Sequence, residues 1–345
     1  MRRAAALAAL AALVLGACAV VSPAAQAAPP KWRKMPSPKP VKAGSLNNVE
    51  FVSAKLGWAA GREGDRLAVW KWNGKEWRRA SVEGTFAPSG LAVAGPRRAW
   101  VTGMDLAVGH ALYYNGKKWR KVAFPGPGVP VDLAAGSDGT AVTVAVEPFK
   151  GDSSVLRWKD GGWKPWKVSL PKGAALDTVE VRAKDDIWLG GSYSANKKVR
   201  ALLMHWNGKR WKRLKVGGNS TQAITQIVAD KPGAAWALRG STRTSLVRVD
   251  GKRVTDRRLP RDLGALTLTQ DGQGGVWMLP YSKNDVTEVP YLRWHKNTWH
   301  FLYGPRRDGV PGFGDLDLVP GTTRVVSVGG LDRGGERYPV AEIYR

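Results

Sequence analysis

Four histidines, one cysteine and a scatter of carboxylates are the residues of this 345-residue chain best suited to chemistry. His110, His205, His295 and His300 fall in unrelated sequence positions. His205 precedes Trp206, whereas His295 follows Trp294. Neither a His-Glu-x-x-His pair nor a Cys/His spacing occurs, so the side chains that hold zinc are not grouped. No metal and no cofactor is expected. Asp185-Asp186 is the obvious carboxylate pair for glycoside cleavage, which needs two acids flanking one bond. The pair stands just before Trp188 in a turn-like stretch, where Asp is favoured for local hydrogen bonding, and the turn reading takes precedence. Serine nucleophiles on α/β-hydrolase elbows need Gly-x-Ser-x-Gly, which is missing. No catalytic residue is assigned.

The cations are more informative. Formal charge is +26, and Lys and Arg gather in short runs: Arg78-Arg79, Lys117-Lys118 with Arg120-Lys121, Lys209-Arg210 with Lys212-Arg213 and Lys215, and Arg257-Arg258. Arg79, Lys121, Arg213 and Lys215 are candidate contacts for a polyanion. The plainer reading is that Lys and Arg on an edge strand discourage edge-to-edge pairing, with their stems covering apolar surface. That explains the density of charge and not its sign. A second candidate group sits on connectors that vary in length: Arg62, Asp65, Tyr193, Lys197, Tyr281, Asp285, Asp332 and Arg333. Loops on a rigid scaffold are where ligands are usually met, although any one of these side chains is equally a solvated connector.

Those runs and connectors are positioned by a repeat. Ala201–Leu214 reads as two short strands joined at Asn207-Gly208, the strongest local hairpin signal, predicting a type I′ turn with positive φ at both residues. The same unit recurs around Asn73-Gly74, Asn115-Gly116, Asp160-Gly161 and Asp250-Gly251, and Trp294 and Trp299 keep the separation of Trp206 and Trp211. Between these hairpins lies another unit: a strand, a turn, then a strand carrying Trp and ending in small residues. Leu46–Gly61 and Asp177–Gly191 show it best, and Val131–Val144 is a degenerate copy with Val142 near the Trp position. Period-2 alternation, as in Val49-Glu50-Phe51, argues for strands. Self-similarity at this period marks a solenoid or a propeller.

Calling the strands a to d in chain order gives seven of each. The last strand c, Pro339–Tyr344, has no strand d after it. The first strand d, Lys31–Met35, has no strand c before it. The two gaps complement each other. The predicted fold is all-β: a seven-bladed β-propeller of four-stranded antiparallel blades, with the N-terminal strand closing the last blade. Closure has a physical cause, since an open ring would leave two apolar faces and a bare edge exposed. Trp58, Trp100, Trp188, Trp236 and Trp277 on strand b are read as packing between blades, each indole N–H reaching a carbonyl.

The strand, Trp-Ala-x-Gly and Trp-Asn-Gly-x-x-Trp layout resembles secreted actinobacterial propeller repeats, kelch-like in strand order. Trp58-Ala59-Ala60-Gly61 and Trp206-Asn207-Gly208-Lys209-Arg210-Trp211 carry that resemblance. It implies a fold and a secreted address, and it leaves activity open, because such folds host binding and catalysis alike.

Met1–Ala27 has the pattern of a signal peptide: Arg2-Arg3, an apolar run, and Ala25-Gln26-Ala27 as a cleavage site. Residues 28–345 are then one propeller domain, and removal of the leader lowers the charge by two. Leu15-Gly16-Ala17-Cys18 offers the alternative of a lipoprotein anchored through Cys18. Cys18 is the only cysteine, so no internal disulfide forms. No other stretch approaches the roughly 18 apolar residues of a membrane span. The expected function is a non-catalytic secreted binding or scaffold propeller, a monomer, associating with anionic cell-envelope polymers through its basic rim. The alternatives are a carbohydrate-active enzyme with carboxylates around the central channel, and a platform for protein–protein assembly with an extracellular protein. Nucleic acid is disfavoured as partner, because the Trp residues are better spent on packing than on base stacking.

Overall fold

A computed structural model describes residues 29–217, 222–281 and 286–345. The leader Met1–Ala27, with Cys18, and the loop residue Asp285 lie outside the described residues. Lys31–Arg345 form one compact unit. It is a seven-bladed β-propeller, every blade a four-stranded antiparallel sheet. Blade 1 comprises Gly44–Ser53, Leu56–Glu63, Arg66–Trp72 and Trp77–Arg79 as strands a to d. Blade 2 comprises Ala87–Gly95, Arg98–Asp105, Val108–Tyr114 and Trp119–Val122. Blade 3 comprises Val129–Ala135, Ala141–Val146, Ser153–Lys159 and Gly162–Pro165. Blade 4 comprises Ala175–Ala183, Asp186–Ala195, Lys198–Trp206 and Trp211–Arg213. Blade 5 comprises Ile224–Lys231, Ala234–Arg239, Ser245–Asp250 and Arg253–Arg258. Blade 6 comprises Ala265–Gln270, Val276–Pro280, Pro290–His295 and Thr298–Tyr303.

Blade 7 comprises Val310–Leu318, Val325–Arg333 and Glu336–Tyr344, and its strand d is Trp32–Lys34 from the other end of the chain. Trp32 pairs with Tyr344 and Lys34 with Glu342. Lys31 N–H donates to Arg345 O (3.0 Å), and Arg345 N–H returns the bond to Lys31 O (3.2 Å). The predicted closure is therefore present. It is sealed by stacking: the Trp32 ring lies 3.7 Å from Tyr291 of blade 6, nearly parallel, and meets Trp277 edge-on at 5.4 Å.

The strand-b tryptophans pack between blades as expected. Trp58 meets Tyr114 and Trp119 of blade 2, Trp100 meets Trp158 of blade 3, and Trp277 meets Tyr344 of blade 7. Their N–H groups depart from expectation. Only Trp188 Nε1–H finds a partner, Asp186 (2.9 Å), while those of Trp58, Trp100, Trp236 and Trp277 are buried without one. A polar side chain instead meets the ring face of several of them. Antiparallel register sets one strand-c residue opposite each Trp, and in blades 1, 4, 5 and 6 it lies over the indole. Lys71 covers Trp58, Arg248 covers Trp236 and Arg293 covers Trp277, while His205 stacks on Trp188 at 4.1 Å. A cation over an indole face is worth about 0.5–2 kcal/mol, more as water is excluded.

The c–d turns also correct the sequence reading at the Asn-Gly copies. Trp72 pairs with Trp77 and Trp206 with Trp211, leaving four residues in the loop. Asn207 Oδ1 accepts from the N–H groups of Lys209 (3.1 Å) and Arg210 (3.0 Å), so the side chain closes the turn. Only the Gly has positive φ (84° at Gly208), where a Cβ would come within 2.8 Å of the Asp185 side chain. Paired Trp residues five apart leave too long a loop for type I′, and Asn acts through its side chain instead. The two-residue loops Asp160-Gly161 and Lys296-Asn297 do have positive φ at both positions.

Candidate functional site

The innermost strands create a polar central channel of about 520 Å³. Glu50, Asp132, Glu180, Asp315 and Asp317 line it, from blades 1, 3, 4 and 7. Inward acids from several blades are thus present, the arrangement an enzyme of this shape would need. Their hydrogen bonds give them another task. Strand a is an edge strand whose outer N–H groups have no ladder partner. Asp315 Oδ2 accepts from Val49 N–H (2.9 Å) and Asp317 Oδ2 from Phe51 N–H (2.6 Å), joining blade 7 to blade 1. Glu50 Oε2 accepts from Val93 N–H (2.9 Å), Asp132 Oδ2 from Val179 N–H (2.9 Å) and Thr178 Oγ1 (2.8 Å), and Glu180 Oε1 from Ala229 N–H (3.1 Å). Between blades 5 and 6, Gln270 Nε2 donates to Ala229 O (2.8 Å), and between blades 6 and 7, Thr269 Oγ1 accepts from Leu318 N–H (3.1 Å). Each side chain hands its blade's inner edge to a neighbour.

Burial deep in the ring pushes these carboxyls up: Asp132 to about 6, Glu180 and Asp315 to about 7. Glu50 and Asp317 rise well above the usual carboxylate range, again first through burial, and then through the charge of Asp317 on Glu50 and of Asp315 on Asp317. The sequence signal for the set is an acid between apolar residues on strand a, as in Val49-Glu50-Phe51, Val131-Asp132-Leu133, Val179-Glu180-Val181 and Leu316-Asp317-Leu318. Period-2 reading assigns such an acid to a solvent face, and only the closed ring turns that face into a channel.

On the a–b turns stand two buried aspartates. Asp186 is not the solvated turn residue that its sequence setting predicts; it is 2% exposed and opens strand b of blade 4. It accepts from His205 Nε2 (2.7 Å), Arg182 Nε (2.5 Å), Trp188 Nε1 (2.9 Å) and the Gly233 N–H of blade 5 (3.2 Å). Asp185 beside it is exposed. Asp271 in blade 6 accepts from Arg293 Nη2 (2.6 Å), His295 Nδ1 (2.8 Å) and the N–H groups of Gln273 and Gly275 (both 2.7 Å). Burial opposes ionisation at both, and the converging donors outweigh it, holding both carboxyls below their ordinary range. His205 and His295, two residues apart in register, lie on the same strand face, and that is why unrelated sequence positions reach equivalent acids. Among the described residues, no group of three or more His, Cys, Asp or Glu is arranged to hold a metal ion.

The basic runs sit on exposed surface. Lys117, Lys118, Arg120 and Lys121 of blade 2, Lys164 and Lys167 of blade 3, and Lys209, Arg210, Lys212, Arg213 and Lys215 of blade 4 are all exposed. So are Lys252, Arg253, Arg257 and Arg258 of blade 5. Among the described residues only Arg258 of this set has an acidic partner, Asp262. Blade 1 differs: Arg78 pairs with Glu76 (2.9 Å) and Arg79 with Glu63 (2.6 Å). Strand d of blade 6, Thr298–Tyr303, carries no Lys or Arg. Unneutralised cations therefore run over four consecutive blades, 2 to 5, and recur at strand d of blade 7, where Lys31, Arg33 and Lys34 have no acidic ion-pair partner among the described residues.

The loop residues scatter around the ring. Arg62 and Asp65 belong to blade 1, Tyr193 and Lys197 to blade 4, Tyr281 to blade 6, Asp332 and Arg333 to blade 7. Asp332 is bound to Arg337 (2.9 Å) and Arg333 to Asp308 (2.9 Å). Only Tyr193 joins rim candidates: with Arg200, Arg213 and Lys215 it lines a depression of about 440 Å³. Arg79 and Lys121 are apart from it.

No known protein-family profile matches the chain. No curated protein sequence matches it either. Solved structures do share its fold. A streptogramin B lyase superposes with TM-score 0.68 at 12% identity, over 92% of this chain and 98% of that one. YCF48 from Cyanidioschyzon merolae gives 0.61 at 15%, over 91% and 99%, and YCF48 bound to D1 peptide gives 0.58 at 13%, over 91% and 96%. At such identities the likeness is one of fold: this chain is similar to propellers of which one is a lyase and another was captured holding a peptide.

Proposed function

We propose that the protein is a non-catalytic binding propeller that associates with anionic polymers of the cell envelope through its basic rim. The observation that carries this reading is the arc of exposed Lys and Arg on blades 2 to 5, almost without acidic partners. Protection of edge strands would be served by acids as well as bases, so the uniform sign calls for a further reason. A one-signed surface raises the local concentration of polyanions and speeds their capture. The leader supports export, with signal cleavage after Ala27 favoured over anchoring at Cys18, and the Trp-Asn-Gly layout supports kinship with secreted actinobacterial propellers. The test is retention on purified cell wall. The full mature chain binds at low salt and elutes before about 1 M salt, where the Debye length has fallen to about 3 Å. Failure to bind at low salt removes the reading.

Two other readings each have an observation in their favour. The raised channel carboxyls suit acid catalysis on a carbohydrate, although every one of them is engaged by a neighbouring blade. Asp132→Asn and Glu180→Gln should then abolish a glycan-cleaving activity while leaving the ring intact. Met104, Leu106, Val108 and Phe149 stand exposed on the b–c side of adjacent blades 2 and 3, which suits an assembly platform. The peptide held by a protein of similar fold is in keeping with it.

A further inference from the structure

Seven copies of one strand layout allow each position to be compared with its counterparts. Five residues beyond the strand-b Trp position stand Glu63 in blade 1, Asp105 in blade 2, Glu147 in blade 3, Ser241 in blade 5 and Leu331 in blade 7. The counterpart in blade 4 is Tyr193. In blade 1 the acid has a clear use. Glu63 is 4% exposed and takes Arg79 of strand d at 2.6 Å. Register makes Arg213 the equivalent of Arg79, since Arg79 lies opposite Trp70 and Arg213 opposite Met204. It makes Arg200 the equivalent of Arg66, which lie opposite Tyr193 and Glu63.

Blade 4 has therefore kept both arginines and exchanged the acid for a phenol. The Arg213 guanidinium lies 5.0 Å from the Tyr193 ring centroid. An aromatic face holds a guanidinium in place without neutralising it. The planar fork keeps its donors for an oxyanion. Lys215 adds a third cation to the same depression. Its lining contains no acid, and among the described residues none of Arg200, Arg213 and Lys215 has an acidic partner. Its volume, about 440 Å³, is that of a small-ligand site.

We propose that Tyr193, Arg200, Arg213 and Lys215 form a phosphate-recognition site on blade 4. The inference rests on the polyanion reading and makes it specific: one blade of the arc recognises the phosphate group that the others merely attract. Paired guanidinium forks suit a tetrahedral oxyanion, and the ammonium of Lys215 supplies a point charge.

Titration calorimetry of the mature chain with inorganic pyrophosphate tests it. The parent protein binds one equivalent. Tyr193→Glu rebuilds the blade 1 arrangement in blade 4, so it supplies Arg213 with an internal carboxylate in a geometry this fold already accommodates. Its affinity falls about tenfold or more, the scale of one lost charge-assisted contact. Arg200→Gln does the same should the first variant fold poorly. Lys55→Ala, on the exposed a–b turn of blade 1 and outside the rim, leaves pyrophosphate affinity unchanged. No binding by the parent, or equal losses in the Lys55 and Tyr193 variants, overturns the site. Cell-wall retention separates the two claims. Retention without pyrophosphate binding leaves the rim reading standing and ends this one. Pyrophosphate binding at Tyr193 without retention does the reverse. Retention that weakens in Tyr193→Glu marks the polymer's own phosphate as the ligand.

Discussion

At the scale of the residue, the buried ion pairs decide more than the many surface ones. Arg307 donates through Nε (3.1 Å) and Nη2 (2.9 Å) to Glu342 Oε1, and Tyr291 O–H donates to Oε2 (3.0 Å), all three side chains being buried. Replacing one partner strands the other in a dry site. Arg307→Ala is expected to cost about 3–5 kcal/mol in urea unfolding, and a loss under about 1 kcal/mol would place the pair among solvent-screened contacts. Asp186→Asn removes the charge that four donors converge on. Its loss of stability should exceed that of Asp185→Asn, whose side chain is exposed, and equal effects would contradict the hub seen here. Little of this was legible beforehand. Asp185 and Asp186 are neighbours of one type, and only the strand face distinguishes a solvated acid from a buried one.

At the scale of the element, the strands were readable because each is specified locally. Alternation sets the face, the Trp marks strand b, and Asn-Gly or Asp-Gly marks the hairpin. Even the degenerate blade followed, since Val142 lies opposite Arg157 where blades 1, 2, 4, 5 and 6 place a Trp opposite its strand-c partner. What escaped was the manner of turning, because Asn207 works through Oδ1 while its backbone stays at negative φ. The covering cations over the indoles escaped too: the pairing of Lys71 with Trp58 needs a register that no single strand contains. Trp32 is the element-scale test. It sits between Tyr291, Trp277 and Tyr344, and Trp32→Ala should cost about 3–5 kcal/mol and increase aggregation by freeing the edge of Glu336–Tyr344. Light scattering and thermal melting report both effects. A variant as stable and monodisperse as the parent would mean that this strand is dispensable.

At the scale of the whole molecule, the channel makes stability depend on pH. Asp132 at about 6, with Glu180 and Asp315 at about 7, lie above the values near 4 of an unfolded chain. Between those limits the folded ring binds more protons than the unfolded chain, so stability falls as pH rises. The contribution is complete below about pH 4 and gone once pH has passed about 7. Asp186 and Asp271 act oppositely, their lowered values withdrawing stability below about pH 4. The melting temperature should therefore be higher near pH 5 than near pH 8, by on the order of 5 °C. Glu180→Gln should flatten the slope. A melting temperature that climbs from pH 5 to 8 would show the channel acids to be ionised and well solvated. These acids were invisible as a group in the sequence because their neighbours are defined by ring closure. Tyr193 was visible as a residue, yet its meaning came from Glu63 in another blade.

The mutual bonds between Lys31 and Arg345 have a consequence in time. A chain made from its N-terminus produces Trp32 among the earliest residues of the ring and Tyr344 among the last. The first strand synthesised must therefore wait, unpartnered, until Glu336–Tyr344 has been made. Six blades can assemble in sequence while the seventh cannot, so the final step of folding is a single docking event that joins the oldest and newest parts of the polymer. Linking those two ends and reopening the chain at a b–c hairpin would turn that wait into an ordinary local hairpin, and such a permutant should reach its native state faster than the natural order does.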